Sequence, residues 1–187
     1  MGTYRPSGAT FMPHLPSDPQ LSYHLIDDQP TAIFLGPLPR HWSDVPAPCV
    51  INMCGAYPSG EPTGLTVFPL PLRDLQESSA MPDQTDFEAF LASIHEQASV
   101  TSSYWHCHAG LNRSSLALAA YLHLYRGYRI SAAIERIRAR RSPLCLCNSL
   151  FEETLRGWYG EADEQDFVPV DMSAWLTDRT GGRDDWS

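Results

Sequence analysis

The sequence predicts a single α/β domain in which a central, mainly parallel sheet of about four to five strands is flanked by helices. The chain of 187 residues contains four short apolar runs, each with glycine or proline close behind it. Longer segments with apolar residues at helical spacing lie between and after these runs. Strands buried on both faces are typical of parallel sheets covered by helices, and a chain of this length can bury one sizeable core.

The four apolar runs are the predicted strands. Each is short, and most are rich in β-branched or aromatic residues, as buried strands are. They comprise residues 32–35, 49–53, 65–68 and 103–106.

Four helices are predicted from apolar spacing and from residues that commonly cap a helix. Thr85 and Glu88 have the spacing of a capping box and predict the start of the first helix. Residues 113–126 carry one apolar face and predict the second helix. Ser131 and Asn148 are predicted caps of the third and fourth helices.

The flanks of the domain differ from its interior in composition. Residues 1–24 are rich in proline, serine and histidine and predict an irregular arm; residues 25–160 carry the strand and helix patterns, and residues 161–187 form an acidic tail. No apolar stretch approaches the ~18 residues of a membrane helix, and the first twenty residues lack the apolar core of a signal peptide. The five cysteines are an odd number, which favours reduced thiols. We therefore expect a cytoplasmic protein without a membrane partner.

The charge of the chain excludes several functions. All 13 basic residues are arginine, so chemistry that needs a lysine amine, such as Schiff bases or a Walker A loop, is excluded. With 22 acidic residues the formal net charge is −9, which argues against a surface that coats nucleic acid. A single basic pocket within an acidic protein remains compatible with this balance.

The segment from His106 to Ser114 carries the chemistry that the sequence predicts. It lies between a predicted strand and a predicted helix that starts near Arg113, so several N–H groups and the positive end of the helix dipole converge on one concavity. Such a cradle binds a phosphate group, Gly110 permits the turn, and Arg113 can bind two phosphate oxygens. The same surroundings favour a Cys107 thiolate, and Ser114 can hydrogen-bond to its sulfur.

This Cys-x5-Arg-Ser string resembles the cysteine-dependent protein tyrosine phosphatases, in particular their small dual-specificity branch. The resemblance extends over roughly residues 30–160, on the strands at 33–36 and 50–53 and on the Asn-x-x-Phe-x-x-x-Leu pattern of Asn148, Phe151 and Leu155. It implies the fold of that branch and the hydrolysis of phosphomonoesters through a cysteinyl-phosphate intermediate. It also implies that no metal or other cofactor is needed. The phosphate would be bound by residues that follow the cysteine, namely His108, Ala109, Gly110, Leu111, Asn112 and Arg113.

The reaction also needs a carboxylic acid that protonates the leaving group. Family members place this aspartate on a loop about thirty residues before the cysteine, and Asp74 has that spacing and follows a predicted strand. Asp83 lies in the same loop region and stays a competitor. Asp86 falls in the first turn of a predicted helix, where an acidic residue is expected for the helix dipole alone.

Three side chains near the predicted site have open roles. The resemblance implies that His106 orients the loop, whereas His108 either touches the substrate or faces solvent at the mouth. Cys54 lies in the segment 52–55, which resembles a segment found in the phosphoinositide phosphatases of the superfamily. It is either a redox partner of Cys107 or a plain buried cysteine. A zinc site at His106, Cys107 and His108 is not predicted, because adjacent side chains at a strand end point in opposite directions and one ion cannot bind all three.

The substrate is expected to be a phosphorylated protein or peptide, most simply phosphotyrosine and in addition phosphoserine or phosphothreonine. The alternatives are RNA 5′-triphosphate, a phosphoinositide, or a module that binds phosphate without catalysis. The absence of lysine speaks against a phosphoinositide, and nucleic acid is expected only as RNA 5′-triphosphate. Arg140 and Arg141 could bind a second phosphate or could form the solvated end of a helix.

Overall fold

The computed structural model describes residues 23–160. The predicted acidic tail and nearly all of the predicted arm lie outside these residues. The predicted boundary of the arm at residue 24 is wrong, because His24 begins the first strand.

A five-stranded sheet forms the centre of the domain. Its strands are β1 (His24–Asp27), β2 (Ile33–Pro37), β3 (Cys49–Asn52), β4 (Thr66–Pro69) and β5 (Ser103–Cys107). The strand order is β1-β2-β5-β3-β4, and every pair is parallel except β1 with β2. The four predicted strands and the mainly parallel sheet are confirmed, and the antiparallel β1 at the edge was missed.

Within residues 23–160, four α-helices accompany the sheet. They are α1 (Gln84–Ala98), α2 (Arg113–Arg126), α3 (Ile130–Arg140) and α4 (Ser149–Trp158). In the described chain, none of them is both long enough and apolar enough to cross a bilayer.

Two of the predicted helix starts were wrong. The carboxylate of Asp83 accepts a hydrogen bond from the N–H of Thr85 at 2.8 Å, so α1 begins at Gln84 and Thr85 lies in its first turn. Helix α3 begins at Ile130 after the extended residue Arg129, which places Ser131 inside the helix. In both cases the chain turns into the helix earlier than the proposed cap.

The two faces of β5 belong to two different apolar clusters. Because successive strand residues point to opposite faces, Trp105 and Cys107 lie in the main core, whereas Tyr104 packs in a smaller cluster with Trp42 and Val50. The main core also contains the buried residues of α2, whose side chains are buried without interruption from Ser114 to Leu122. Helix α2 is therefore sunk into the domain, and its N-terminus directly follows the central strand.

Helix α4 is joined to α3 by a buried carboxylate. Glu152 is 1% exposed and pairs with Arg138 at 2.5 Å and with Arg156 at 2.8 Å. An unpaired charge at this depth would cost several kcal/mol, so the two arginines are needed to keep Glu152 buried. The N-terminus of α4 lies beside the loop that follows β5, where the N–H of Asn148 donates to Oδ1 of Asn112.

Candidate active site

The loop between β5 and α2, here the Cys–Arg loop (residues 107–113), has its carbonyls bound from outside. Three of these carbonyls accept from backbone N–H groups: His108 from Leu38 at 3.1 Å, Leu111 from Leu146 at 2.9 Å and Asn112 from Leu116 at 2.8 Å. The carbonyls of Ala109 and Gly110 accept from the side chain of Arg141 at 3.2 and 3.4 Å. In a planar trans peptide the next N–H points the opposite way from the carbonyl. Within residues 23–160, the N–H groups of residues 109–112 donate to no backbone carbonyl. They are therefore directed inward, into one cradle suited to an anion.

Gly110 lets this loop lie against the end of β2. Its φ is +68°, and a Cβ there would lie 2.3 Å from the carbonyl carbon and oxygen of Gly36. Both the left-handed conformation and the contact therefore require glycine.

A second unusual conformation supports the loop from behind. Leu146 has a φ of 60° although it is not a glycine, and its N–H is the donor to Leu111. Such a conformation costs of order 1 kcal/mol and persists only where the surroundings impose it. The left-handed turn points this N–H at the loop.

Cys107 lies at the base of the cradle. Its residue is 1% exposed, and the hydroxyl of Ser114 donates to its sulfur over 3.3 Å. The sulfur is thus adjacent to the first turn of α2, where helix N–H groups favour a negative charge. Arg113, the first residue of α2, donates to the carbonyl of Leu72 at 3.4 Å.

Asp74 is the candidate acid that contacts the Cys–Arg loop. Both of its carboxylate oxygens accept from Nδ2 of Asn112 at 3.3 Å, and one lies 3.7 Å from Nε of Arg113. Asp83 instead uses its carboxylate to cap α1, and Asp86 is exposed in the first turn of that helix. Of the three predicted candidates, Asp74 alone is within reach of the loop in the contacts of the described chain.

Asn148 holds the same aspartate, a role that the sequence did not indicate. Its Nδ2 donates to Asp74 at 3.2 Å and to the carbonyl of Leu75 at 3.1 Å, while its backbone N–H donates to Oδ1 of Asn112. Asn148 does precede α4, as predicted, but its side chain does not cap that helix. An asparagine before a helix is expected as a cap, so nothing in the local pattern pointed to Asp74.

The two histidines of the loop region lie in different surroundings. His106 is fully buried and stacked on Tyr104 with 5.6 Å between ring centroids, and burial lowers its pKa to about 4. It is therefore neutral at physiological pH and contributes packing beneath the loop. His108 is exposed.

Cys54 is half-buried at the end of the turn that follows β3. Its S–H donates to Oδ1 of Asn52 at 3.4 Å, and burial raises the pKa of its thiol, an effect that the nearby Cys107 strengthens. Both cysteines are free thiols. A redox link between them stays a prediction; peroxide treatment followed by peptide mapping tests it, and absence of a Cys54–Cys107 disulfide would leave Cys54 with a packing role.

The chain has the fold of the cysteine-dependent protein tyrosine phosphatases, in the form found in their dual-specificity branch. The resemblance inferred from the sequence is thereby confirmed for the fold. No protein-family model and no curated protein matches the chain.

Solved structures do match it. PTPMT1 is 26% identical, with 73% of this chain and 98% of that chain covered and a TM-score of 0.50. Tk-PTP is 22% identical over 74% of this chain and 97% of its own, with a TM-score of 0.60, and human DUSP28 is 17% identical over 73% and 95%, with a TM-score of 0.61.

Replacing Gly110 tests the close contact beneath the cradle. Gly110→Ala should abolish measurable binding of tungstate, an oxyanion probe, because the added carbon displaces the loop from Gly36. Gly127→Ala is the matched control, since Gly127 has a φ of +73° and open space around it. It should cost only about 1 kcal/mol of unfolding free energy and leave tungstate binding intact. Equal binding by the two variants would contradict the role of this contact.

The burial of His106 predicts a pH-dependent stability. Between its pKa of about 4 in the folded chain and about 6.5 in the unfolded chain, only the unfolded chain binds the proton. The unfolding free energy should therefore fall as pH is lowered through this window, by about 2 kcal/mol between pH 7 and pH 5 from this group.

Urea denaturation at the two pH values measures this effect. His106→Phe should lose that part of the pH dependence, whereas His41→Asn, at an exposed histidine, should retain it. The same pH dependence in wild type and His106→Phe would show that the buried ring is not its source.

Proposed function

We propose that this chain is a phosphatase that hydrolyses phosphomonoesters through a cysteinyl-phosphate intermediate, with phosphotyrosine and also phosphoserine or phosphothreonine in proteins as substrates. One observation carries the proposal. The buried thiol of Cys107 precedes a run of five carbonyls, those of residues 108–112, that are bound by donors outside this run, and Asn112 ties Asp74 to the same loop.

In the first step, the loop N–H groups and Arg113 bind the non-bridging oxygens of the phosphate. The Cys107 thiolate attacks phosphorus, so that an S–P bond forms while the P–O bond to the leaving group breaks. The carboxylic acid of Asp74 gives its proton to the departing oxygen, which leaves as a neutral alcohol or phenol.

In the second step, water attacks the phosphorus of the cysteinyl-phosphate and transfers a proton to the Asp74 carboxylate. The S–P bond breaks, and inorganic phosphate is released with the thiolate regenerated. The hydroxyl of Ser114, 3.3 Å from the sulfur, stabilises the thiolate as it leaves.

The charge of the chain supports a substrate with a single phosphate. The formal net charge of −9 repels highly charged substrates such as RNA 5′-triphosphate, and it favours a phosphorylated residue in a neutral or basic peptide. A structure of PTPMT1 in complex with PI(5)P shares this fold at 24% identity and a TM-score of 0.51. A phosphoinositide is therefore the second substrate class to test, although this chain contains no lysine to bind the additional phosphates of such a lipid.

A phosphate-release panel tests the substrate class. It comprises phosphotyrosine and phosphothreonine peptides, phosphoinositides and RNA 5′-triphosphate, each in the presence of a chelator. We expect release from the peptides, fastest from phosphotyrosine. Faster release from a phosphoinositide or from RNA would assign the alternative substrate, and binding without any release would identify a non-catalytic module.

Two substitutions test the chemistry. Cys107→Ser should lose turnover on every substrate, and turnover that survives would exclude the cysteinyl-phosphate route. Asp74→Ala should slow alkyl phosphates by about 10²- to 10⁴-fold and activated aryl phosphates far less, because only a poor leaving group needs the proton. Asp83→Ala is the control; if it produces this pattern instead, the acid is Asp83.

A further inference from the structure

Arg141 binds the central part of the Cys–Arg loop from the side opposite the cradle. The residue directly follows α3 as its C-cap, and its guanidinium donates from Nη2 to the carbonyl of Ala109 at 3.2 Å and from Nε to that of Gly110 at 3.4 Å. A third donor, Nη1, lies 2.9 Å from Nδ1 of His24 on β1. The planar fork is thus held between the edge strand and the loop.

These two carbonyls belong to the peptide units whose N–H groups are those of Gly110 and Leu111. The other loop carbonyls of residues 108–112 are bound by neutral backbone N–H groups, whereas these two are bound by a cation. A charged donor on a carbonyl polarises the peptide unit, which makes the N–H at its other end a stronger donor.

The same two units need the most restraint. Gly110 lacks a Cβ and can exchange conformations that other residues avoid, so the peptide units on either side of it can rotate most easily. Rotation would turn a carbonyl oxygen into the cradle, where it would repel a phosphate oxygen. The guanidinium of Arg141 opposes that rotation because both carbonyls would lose their charged donor.

Electrostatics act in the same direction. Burial lowers the pKa of Arg141, and the nearby Cys145, Tyr104 and Cys107 act in the opposite sense. The guanidinium thus places a positive charge behind the loop, on the side opposite the cradle.

We propose that Arg141 is a positioning residue of the anion cradle. By binding the carbonyls of Ala109 and Gly110, it keeps the N–H groups of Gly110 and Leu111 directed into the cradle, and it so sets the affinity of the loop for an oxyanion. It acts through the loop and does not itself bind the phosphate. The proposal rests on the proposed function only in that the loop binds phosphate.

Calorimetric titration with tungstate tests this role in a Cys107→Ser parent, where binding is measured without turnover. Arg141→Met should weaken tungstate binding by about 10- to 100-fold, the usual effect of losing charged hydrogen bonds. Arg140→Met is the matched control, because it removes the same charge from an exposed neighbour and should leave affinity unchanged. Arg141→Lys should fall between the two, since one ammonium cannot reproduce a fork on two carbonyls.

Amide spectra of ¹⁵N-labelled protein separate positioning from simple stabilisation. In the parent, tungstate should shift the N–H resonances of Gly110 and Leu111, and Arg141→Met should reduce these two shifts more than those of the other loop amides. A purely structural role would lower the unfolding temperature and leave this pattern intact.

The outcomes discriminate between the proposals. Equal tungstate affinity in the Arg141→Met and Arg140→Met variants would overturn the role of Arg141 and leave the phosphatase proposal standing. If Arg141→Met does not fold, Arg141→Lys decides: weaker binding than in the Arg140→Met variant supports the role, and equal binding overturns it. Failure of the Cys107→Ser parent to bind tungstate would refute the proposed function and this role with it.

Discussion

The Cys–Arg loop can offer its N–H groups to an anion only because groups outside it bind its carbonyls. The loop contains as many carbonyls as N–H groups, and an unbound carbonyl would be free to turn toward the cradle. The donors come from the end of β2, from α2, from the segment before α4 and from Arg141. The cradle is therefore a product of the assembled tertiary structure, and the Cys-x5-Arg string alone would not form it.

The positive character of the site is local and comes from few groups. His106 lies directly beneath the loop but is neutral, because burial lowers its pKa to about 4. The positive charge that the loop offers to an anion must then come from Arg113, Arg141 and the N–H groups at the start of α2. In a chain with a net charge of −9, this concentration of positive charge on one loop favours a compact anion over an extended polyanion.

The parts predicted from the sequence are those determined by local patterns. The four predicted strands carry short apolar runs and α2 carries an apolar face, although the edge strand β4 is only partly buried. Strand β1 has a mixed sequence, and α3 supplies part of its support, since Arg136 donates to the carbonyl of Ile26 and to the carboxylate of Asp27, both at 2.8 Å. Such support depends on contacts more than a hundred residues apart in the chain, which no local pattern contains.

At the site, too, the sequence predicted the residues of a local pattern and missed the contacts between distant residues. Cys107, Arg113 and Ser114 belong to one short string, and the spacing of Asp74 followed from the family resemblance. The start of α1 was wrong because Asp83 and Thr85 both suit a helix cap, and only the hydrogen bond between them decides which one caps. The role of Arg141 depends on where α3 ends relative to the loop, which the sequence of α3 does not specify.

The side-chain amide of Asn112 connects the Cys–Arg loop, of which it is a part, to the candidate acid Asp74. Its Oδ1 faces the backbone N–H of Asn148 and the S–H of Cys147, both at 3.2 Å, and a backbone N–H can only donate. The orientation of the amide is thereby determined, and Nδ2 must face the carboxylate of Asp74. The residue that ends the cradle before Arg113 thus also ties the acid to it. Asn148 contacts both Asn112 and Asp74, so the segment before α4 fixes the position of the acid relative to the cradle.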